Sequence, residues 1–201
     1  MATLRLFIAV PCTPSPGLRQ VLAVLNEHRP ALKPVSAEQL HVTLRFLGEQ
    51  PESHVPAIAR AMQQAVADAA VSKVTLPFHG LMALPPGGRR PPRTLCVGFK
   101  DAEPLQALSA ALDHRLARLD PPIPAPGRPF RAHLTLARVK SPPRRGDDGA
   151  TRVRDLLAQH ASTNLGQLTV ETVQLIASQL TPQGPVHRVL DAAPLPSSLD
   201  C

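Results

Sequence analysis

The chain of 201 residues has no Trp, no Tyr and only five Phe. With so few aromatic rings, a base-stacking platform cannot be assumed. Cys12, Cys96 and Cys201 are odd in number and far apart, so they build neither a disulfide framework nor a metal knuckle. The cytoplasm is therefore the expected compartment. No apolar run approaches the roughly 18 residues a membrane helix needs, so no membrane partner is expected. Arg5 interrupts the apolar stretch Met1–Val10, which reads as a strand rather than a signal peptide. Charged residues are scarce at 18%, but 43% of the chain is hydrophobic, which argues against wholesale disorder. Prolines, at 24, are abundant, and 22 Lys and Arg against 15 Asp and Glu leave a net charge of +7. That balance points to an anionic partner, nucleic acid first, although charge alone also serves solubility.

The hydrophobic pattern alternates between strand and helix periods. Leu4, Leu6, Ile8 and Val10 mark a strand, and Leu18, Val21, Leu22 and Leu25 a helix. Leu40–Leu47 is a second strand. Pro51 is placed to start a helix, whose apolar face is Val55, Ile58, Ala59, Met62 and Val66. Val71–Leu84 and Thr94–Phe99 read as strands around the loop Pro85–Arg93. Leu105, Leu108, Leu112, Leu116 and Leu119 mark another helix. After a loop with five prolines at Asp120–Pro129 come a strand at Phe130–Val139 and a basic loop at Lys140–Gly149. A short helix at Thr151–His160 precedes strands at Thr169–Ala177 and Val186–Leu190, joined by a turn at Thr181–Pro185. This order predicts an α+β fold with antiparallel sheets. The Pro-rich segments are short enough to be loops within one domain spanning 1–201.

One pattern occurs twice. Leu40-His-Val-Thr-Leu44 and Ala132-His-Leu-Thr-Leu136 both place His-x-Thr-Leu in an apolar strand, one in each of two similar halves. With eight His and eleven Thr in 201 residues, about 0.4 His-x-Thr matches arise by chance (8 × 11/201), so a second copy carries information. Side chains at i and i+2 of a strand share a face. His41, Thr43 and Arg45 therefore share one, with Leu40, Val42, Leu44 and Phe46 on the core side. Arg131, His133 and Thr135 share another, with Leu134 and Leu136 opposite. Arg45 is open to two readings, a site member or a solvated strand arginine. Arg138 falls with the Leu134 and Leu136 face or at the strand end, which favours a structural role.

Two imidazoles near neutral pKa allow one to take a proton while the other gives one. Thr hydroxyls and Arg hold phosphoryl oxygens. The set suits in-line displacement at a phosphate, with no metal or other cofactor required if donors stabilise the equatorial charge. No two His lie four residues apart, so a helical metal site is unsupported. His28, His54, His79, His114 and His160 show no paired pattern and read as surface. Arg89, Arg90, Arg93, Arg144 and Arg145 read equally as solvated loop charge or RNA contacts.

These residues resemble the 2H phosphoesterases, and within them the RNA 2′,3′-cyclic phosphodiesterases also called 2′-5′ RNA ligases. Arg5-Leu-Phe-Ile-Ala-Val is similar to the family's opening strand. Leu40-His-Val-Thr-Leu-Arg-Phe-Leu-Gly-Glu49 and Arg128-Pro-Phe-Arg-Ala-His-Leu-Thr-Leu-Ala-Arg138 are similar to its two motif blocks. Gly80, and Pro92 through Phe99, fit the hairpin between them. The resemblance implies a bilobal 2H phosphoesterase-like α+β fold. Two antiparallel sheets with outer helices would flank a pseudo-twofold cleft lined by the motif strands. It implies hydrolysis of RNA 2′,3′-cyclic phosphate ends to 2′-phosphates, with 2′-5′ ligation in some members. By this resemblance His41 is the general acid, His133 the general base, and Thr43, Thr135 and Arg131 bind the phosphate. An RNA carrying such an end is the expected partner, a monomer with no obligate protein partner the expected state. Three departures stand out. Cys96 occupies a place where an aromatic is usual. Val186-His187-Arg188 stands where a Tyr is common, so His187 either replaces that Tyr at the cleft or is surface. A Phe is missing near Leu84-Pro85. They leave base preference open. Two other functions fit the same residues: an RNA-end-binding protein with little turnover, and a phosphodiesterase acting on small cyclic nucleotides or 2′-5′ oligonucleotides.

Overall fold

A computed structural model describes residues 2–29, 31–86, 92–140, 148–182 and 184–197. Arg89, Arg90, Arg144, Arg145 and Cys201 lie outside the described residues. The elements, in chain order, are β1 (Thr3–Pro11), α1 (Pro16–Glu27), β2 (Leu32–Pro34), β3 (His41–Pro51), α2 (Val55–Asp68), β4 (Val74–Leu84), β5 (Thr94–Phe99), α3 (Glu103–Leu116), β6 (Leu134–Val139), α4 (Asp148–Gln159), β7 (Gln167–Val170), β8 (Thr172–Thr181) and β9 (Gly184–Pro194). The strands form two antiparallel sheets, β3-β1-β8-β9 and β2-β6-β5-β4-β7. The expected α+β class and its two antiparallel sheets are therefore present.

Each helix is amphipathic and buries the face its sequence spacing selects. Ser15 caps α1 by accepting from the Leu18 N–H at 3.1 Å, with Pro16 pre-set for the first turn. Leu18, Val21, Leu22 and Leu25 then point inward. Ile58, Met62 and Val66 of α2 and Leu105, Leu108, Leu112 and Leu116 of α3 do the same behind the first sheet. Each fully buried Leu contributes about 1.5–3 kcal/mol. The apolar side chains of both sheets join one continuous core. The helix expected to begin at Pro51 starts later. Pro51 closes β3, a 3-10 turn follows over Glu52–His54, and Pro56 occupies the first turn of α2. His54 is buried in that turn rather than on the surface.

The two sheets do not correspond to the two halves of the chain. The first takes β1 and β3 from the beginning and β8 and β9 from the end. The segment read as one strand at Thr169–Ala177 is divided at Glu171. Its start, β7, edges the second sheet, and its remainder, β8, joins the first. The strand expected at Phe130–Val139 is shorter, so His133 directly precedes β6. Gly80 allows close packing beside β4. Its φ is +20°, and a Cβ there would fall 1.7 Å from the Ala161 carbonyl oxygen, so no larger residue fits.

The sheets nevertheless match strand for strand. In β3-β1-β8 and in β6-β5-β4 a motif strand pairs with a central strand, which pairs with a third. Both motif strands bulge at the same offset. Ile8 faces Arg45 and Ala9 faces Thr43, leaving Leu44 unpaired. Leu95 faces Ala137 and Cys96 faces Thr135, leaving Leu136 unpaired. The unpaired residue is the Leu of His-x-Thr-Leu in each strand.

Candidate active site

A bulge adds one residue and shifts the alternation beyond it. In β3, Arg45 therefore turns to the core side, opposite to the expectation that it shares the His41 face. It is 5% exposed, lies 2.7 Å from Asp113 of α3 as an ion pair, and donates to the Pro124 carbonyl. Burial pushes the Asp113 carboxyl above its ordinary range, with Arg45 opposing that shift. Arg45 is thus a structural cation. Phe46, expected in the core, turns out instead and is 64% exposed. In β6 the same shift buries Ala137 and exposes Arg138, which is not held on the Leu134 and Leu136 face.

The motif histidines are held alike. His41 Nδ1 lies 2.7 Å from the Gln39 carbonyl, and His133 Nδ1 lies 2.8 Å from the Arg131 carbonyl. A carbonyl only accepts, so Nδ1 carries the proton in both rings and Nε2 is left for other partners. Thr43 faces Ala9 across the first sheet, and Thr135 faces Cys96 across the second. Burial pushes the Cys96 thiol up to about 12, opposed by the charge of Arg131, which therefore lies within reach of the Thr135 strand. The Cys12 thiol is likewise pushed up by burial, to about 11.

A ring cluster surrounds His41. Phe7 lies 4.9 Å from it between centroids, His187 5.4 Å, and Phe7 and His187 are 5.1 Å apart. Phe46 is 6.2 Å from Phe7. Phe7, Ala9 and Ile176 form a small apolar cluster separate from the main core, on this face of the sheet. His187 thus stands against the His41 ring, half-buried rather than on the open surface. The β8–β9 arm carries it there. Beyond Ala177, β8 leaves β1 and pairs with β9 alone. Gln39 ties the arm by donating to the Pro185 carbonyl at 2.6 Å.

Burial pushes the His41 imidazole below its ordinary value. The Gln39 carbonyl opposes this, while the like charges of His187, Arg138 and His133 add to it. The charges of His133 and Arg138, from the second motif strand, are thus felt at His41. Burial lowers the His187 imidazole as well. Among the described residues no cluster of three His, Cys, Asp or Glu side chains is placed to hold a metal ion. The sequence pattern pointed to His41, His133, Thr43, Thr135 and Arg131. It placed Phe46 in the core, favoured a structural role for Arg138 and gave Phe7 no place beside His41; the bulges that turn Phe46 and Arg138 outward leave no mark in the alternation.

Chemically the two motif strands offer two Nε2 atoms and two hydroxyls, with exposed guanidinium groups at Arg131 and Arg138, residue types suited to an anion. A model of the 2′-5′ RNA ligase superfamily matches residues 7–181, including both motif strands. An RNA 2′,3′-cyclic phosphodiesterase of Archaeoglobus fulgidus is 30% identical over 193 residues, covering 93% of this chain and 98% of that protein. A Thermus thermophilus protein of the same name is 32% identical over 169 residues, covering 79% of this chain and 73% of its own. A crystal structure of a protein from Thermus thermophilus superposes with a TM-score of 0.70 at 28% identity, covering 96% of this chain and 99% of that one. A family match over most of the chain, with both motifs inside it, means that this protein belongs to the 2′-5′ RNA ligase superfamily.

Proposed function

We propose that this protein is an RNA 2′,3′-cyclic phosphodiesterase that opens the cyclic phosphate to a 2′-phosphate by two-histidine catalysis. The relatives named for that activity support the reaction class. The matched hold on the two imidazoles supports the mechanism, since it presents Nε2 of His41 and of His133 in the same tautomer.

In this reading Nε2 of neutral His133 accepts a proton from water as the water oxygen bonds to phosphorus. The P–O3′ bond breaks in line, and Nε2–H of His41 protonates the departing 3′ oxygen. The products are a free 3′-hydroxyl and a 2′-phosphate, and the two imidazoles have exchanged protonation states, which solvent resets. Thr43, Thr135 and Arg131 hold the phosphoryl oxygens and stabilise charge in the transition state. Low proton affinity makes His41 a strong acid, and the phosphate's negative charge favours its protonation once substrate is bound. With an RNA 5′-hydroxyl attacking in place of water, the same groups in the same roles join two strands through a 2′-5′ linkage; attack of the 3′-hydroxyl on that linkage expels the 5′ oxygen and exchanges the roles.

The test is turnover of an oligoribonucleotide ending in a 2′,3′-cyclic phosphate. His41→Ala and His133→Ala should each lower kcat by about 10²–10⁴-fold with the fold retained by circular dichroism. EDTA should leave the wild-type rate unchanged. Turnover within a factor of two or so of wild type in both variants would sink the mechanism.

A further inference from the structure

One phosphate occupies the chemistry above, yet the second sheet carries a further set of anion-binding groups beside it. Lys33 of β2 is directly opposite Arg138 of β6, and Arg138 is directly opposite Thr94 of β5. Residues opposed in antiparallel strands project from the same face, so the three form one row. Like charges placed opposite one another cost stability unless an anion lies between them. Lys33 and Arg138 are both exposed. Among the described residues neither meets a carboxylate: the ion pairs involve Arg45, Arg115 and Arg154.

The row shares its face of the sheet with Thr135: Thr135 is opposite Cys96 and Arg138 opposite Thr94, and Cys96 and Thr94 are two apart on β5. Arg138 is near enough for its charge to bear on His41. At the other end, the arm tip rests against Lys33, since a Cβ on Gly184 would lie 3.8 Å from Nζ. From Gly184 three residues of β9 lead back to His187, which touches the His41 ring. At about 3.3 Å per residue that is about 10 Å of strand, so the arm connects the two places. The substrate's cyclic phosphate ends its 3′ terminus, and its remaining phosphates lie on the 5′ side.

We propose that Lys33, with Arg138 and Thr94, binds a backbone phosphate upstream of the reacting end, so that the enzyme distinguishes an RNA strand from a single cyclic nucleotide. This rests on the phosphodiesterase reading and names its substrate class. The experiment compares Lys33→Gln with wild type on two substrates. One is a nucleoside 2′,3′-cyclic phosphate, which has no upstream phosphate. The other is an oligoribonucleotide with the same end. Lys33→Gln should raise KM for the oligomer about tenfold, leave its kcat unchanged, and leave both parameters on the nucleotide unchanged. The slope of log(kcat/KM) against log[salt] on the oligomer should become shallower by about 0.7. Lys33→Arg should retain most of the oligomer affinity. Equal effects on the two substrates, or none on either, overturn the inference while the phosphodiesterase reading stands. A wild type that turns over neither substrate overturns both.

Discussion

At the scale of single residues, the decisive contacts are those of His41. Its ring is held from behind by the Gln39 carbonyl, flanked by Phe7 and His187, and exposed to the charges of Arg138 and His133. Of these groups only His187 can be removed without touching the second motif or the sheet pairing of β3. His187→Ala opens the site to water and removes one like charge, so the His41 imidazole should regain proton affinity. If His41 is the acid, the limb of kcat/KM that falls with rising pH then shifts to higher pH, measurable on the nucleoside cyclic phosphate. Movement of the opposite limb would reassign His41 as the base. His41, Thr43, His133 and Thr135 were legible in the sequence because a duplicated motif needs no three-dimensional information. For His187 the resemblance left two readings open, because what brings it to His41 is a hairpin arm that leaves its sheet.

At the scale of elements, the bulge at the motif Leu explains most of what simple alternation misassigned. Strand period applied through Leu44 places Arg45 beside His41 and Phe46 in the core. One unpaired residue exchanges them. The same step in β6 exposes Arg138 where alternation kept it inside. The exchange leaves a buried guanidinium that needs its partners, Asp113 and the Pro124 carbonyl. Asp113→Ala should therefore destabilise the fold by about 2–3 kcal/mol, because the charge of Arg45 stays buried with the carbonyl alone. A urea midpoint measures it, and Arg45→Met combined with Asp113→Leu should recover much of the loss. A cost below about 0.5 kcal/mol for Asp113→Ala would show that water reaches Arg45 and that the bulge does not bury it.

At the scale of the whole molecule, helices, most strands and fold class were readable from period and from turn residues; β2, three residues long, is too short to show a period. Chain routing was not. The two halves look alike in sequence, yet each sheet combines distant segments, and Glu171 sends a continuous apolar run into both. Such routing depends on which edges remain to be paired, which no local pattern records. Of the cations behind the +7 charge, Arg131 and Arg138 lie exposed on or beside the second motif strand, while Arg45 is buried in the first. Two histidines packed with lowered proton affinity also affect the molecule as a whole. Unfolded, they titrate near 6.5, and folded they titrate lower. Between those values the unfolded chain binds more protons, so stability should fall as pH drops below about 6.5 and level off under the folded values.

The proposed mechanism sets one imidazole from each motif at a single phosphate, His133 taking a proton from water and His41 giving one to the 3′ oxygen. Its most direct test is kcat/KM against pH for the wild type and the residual activity of His41→Ala and His133→Ala. The wild type should give a bell. His41→Ala should lose the limb that falls at high pH, and His133→Ala the limb that falls at low pH. Bells that persist unchanged in both variants would contradict the account.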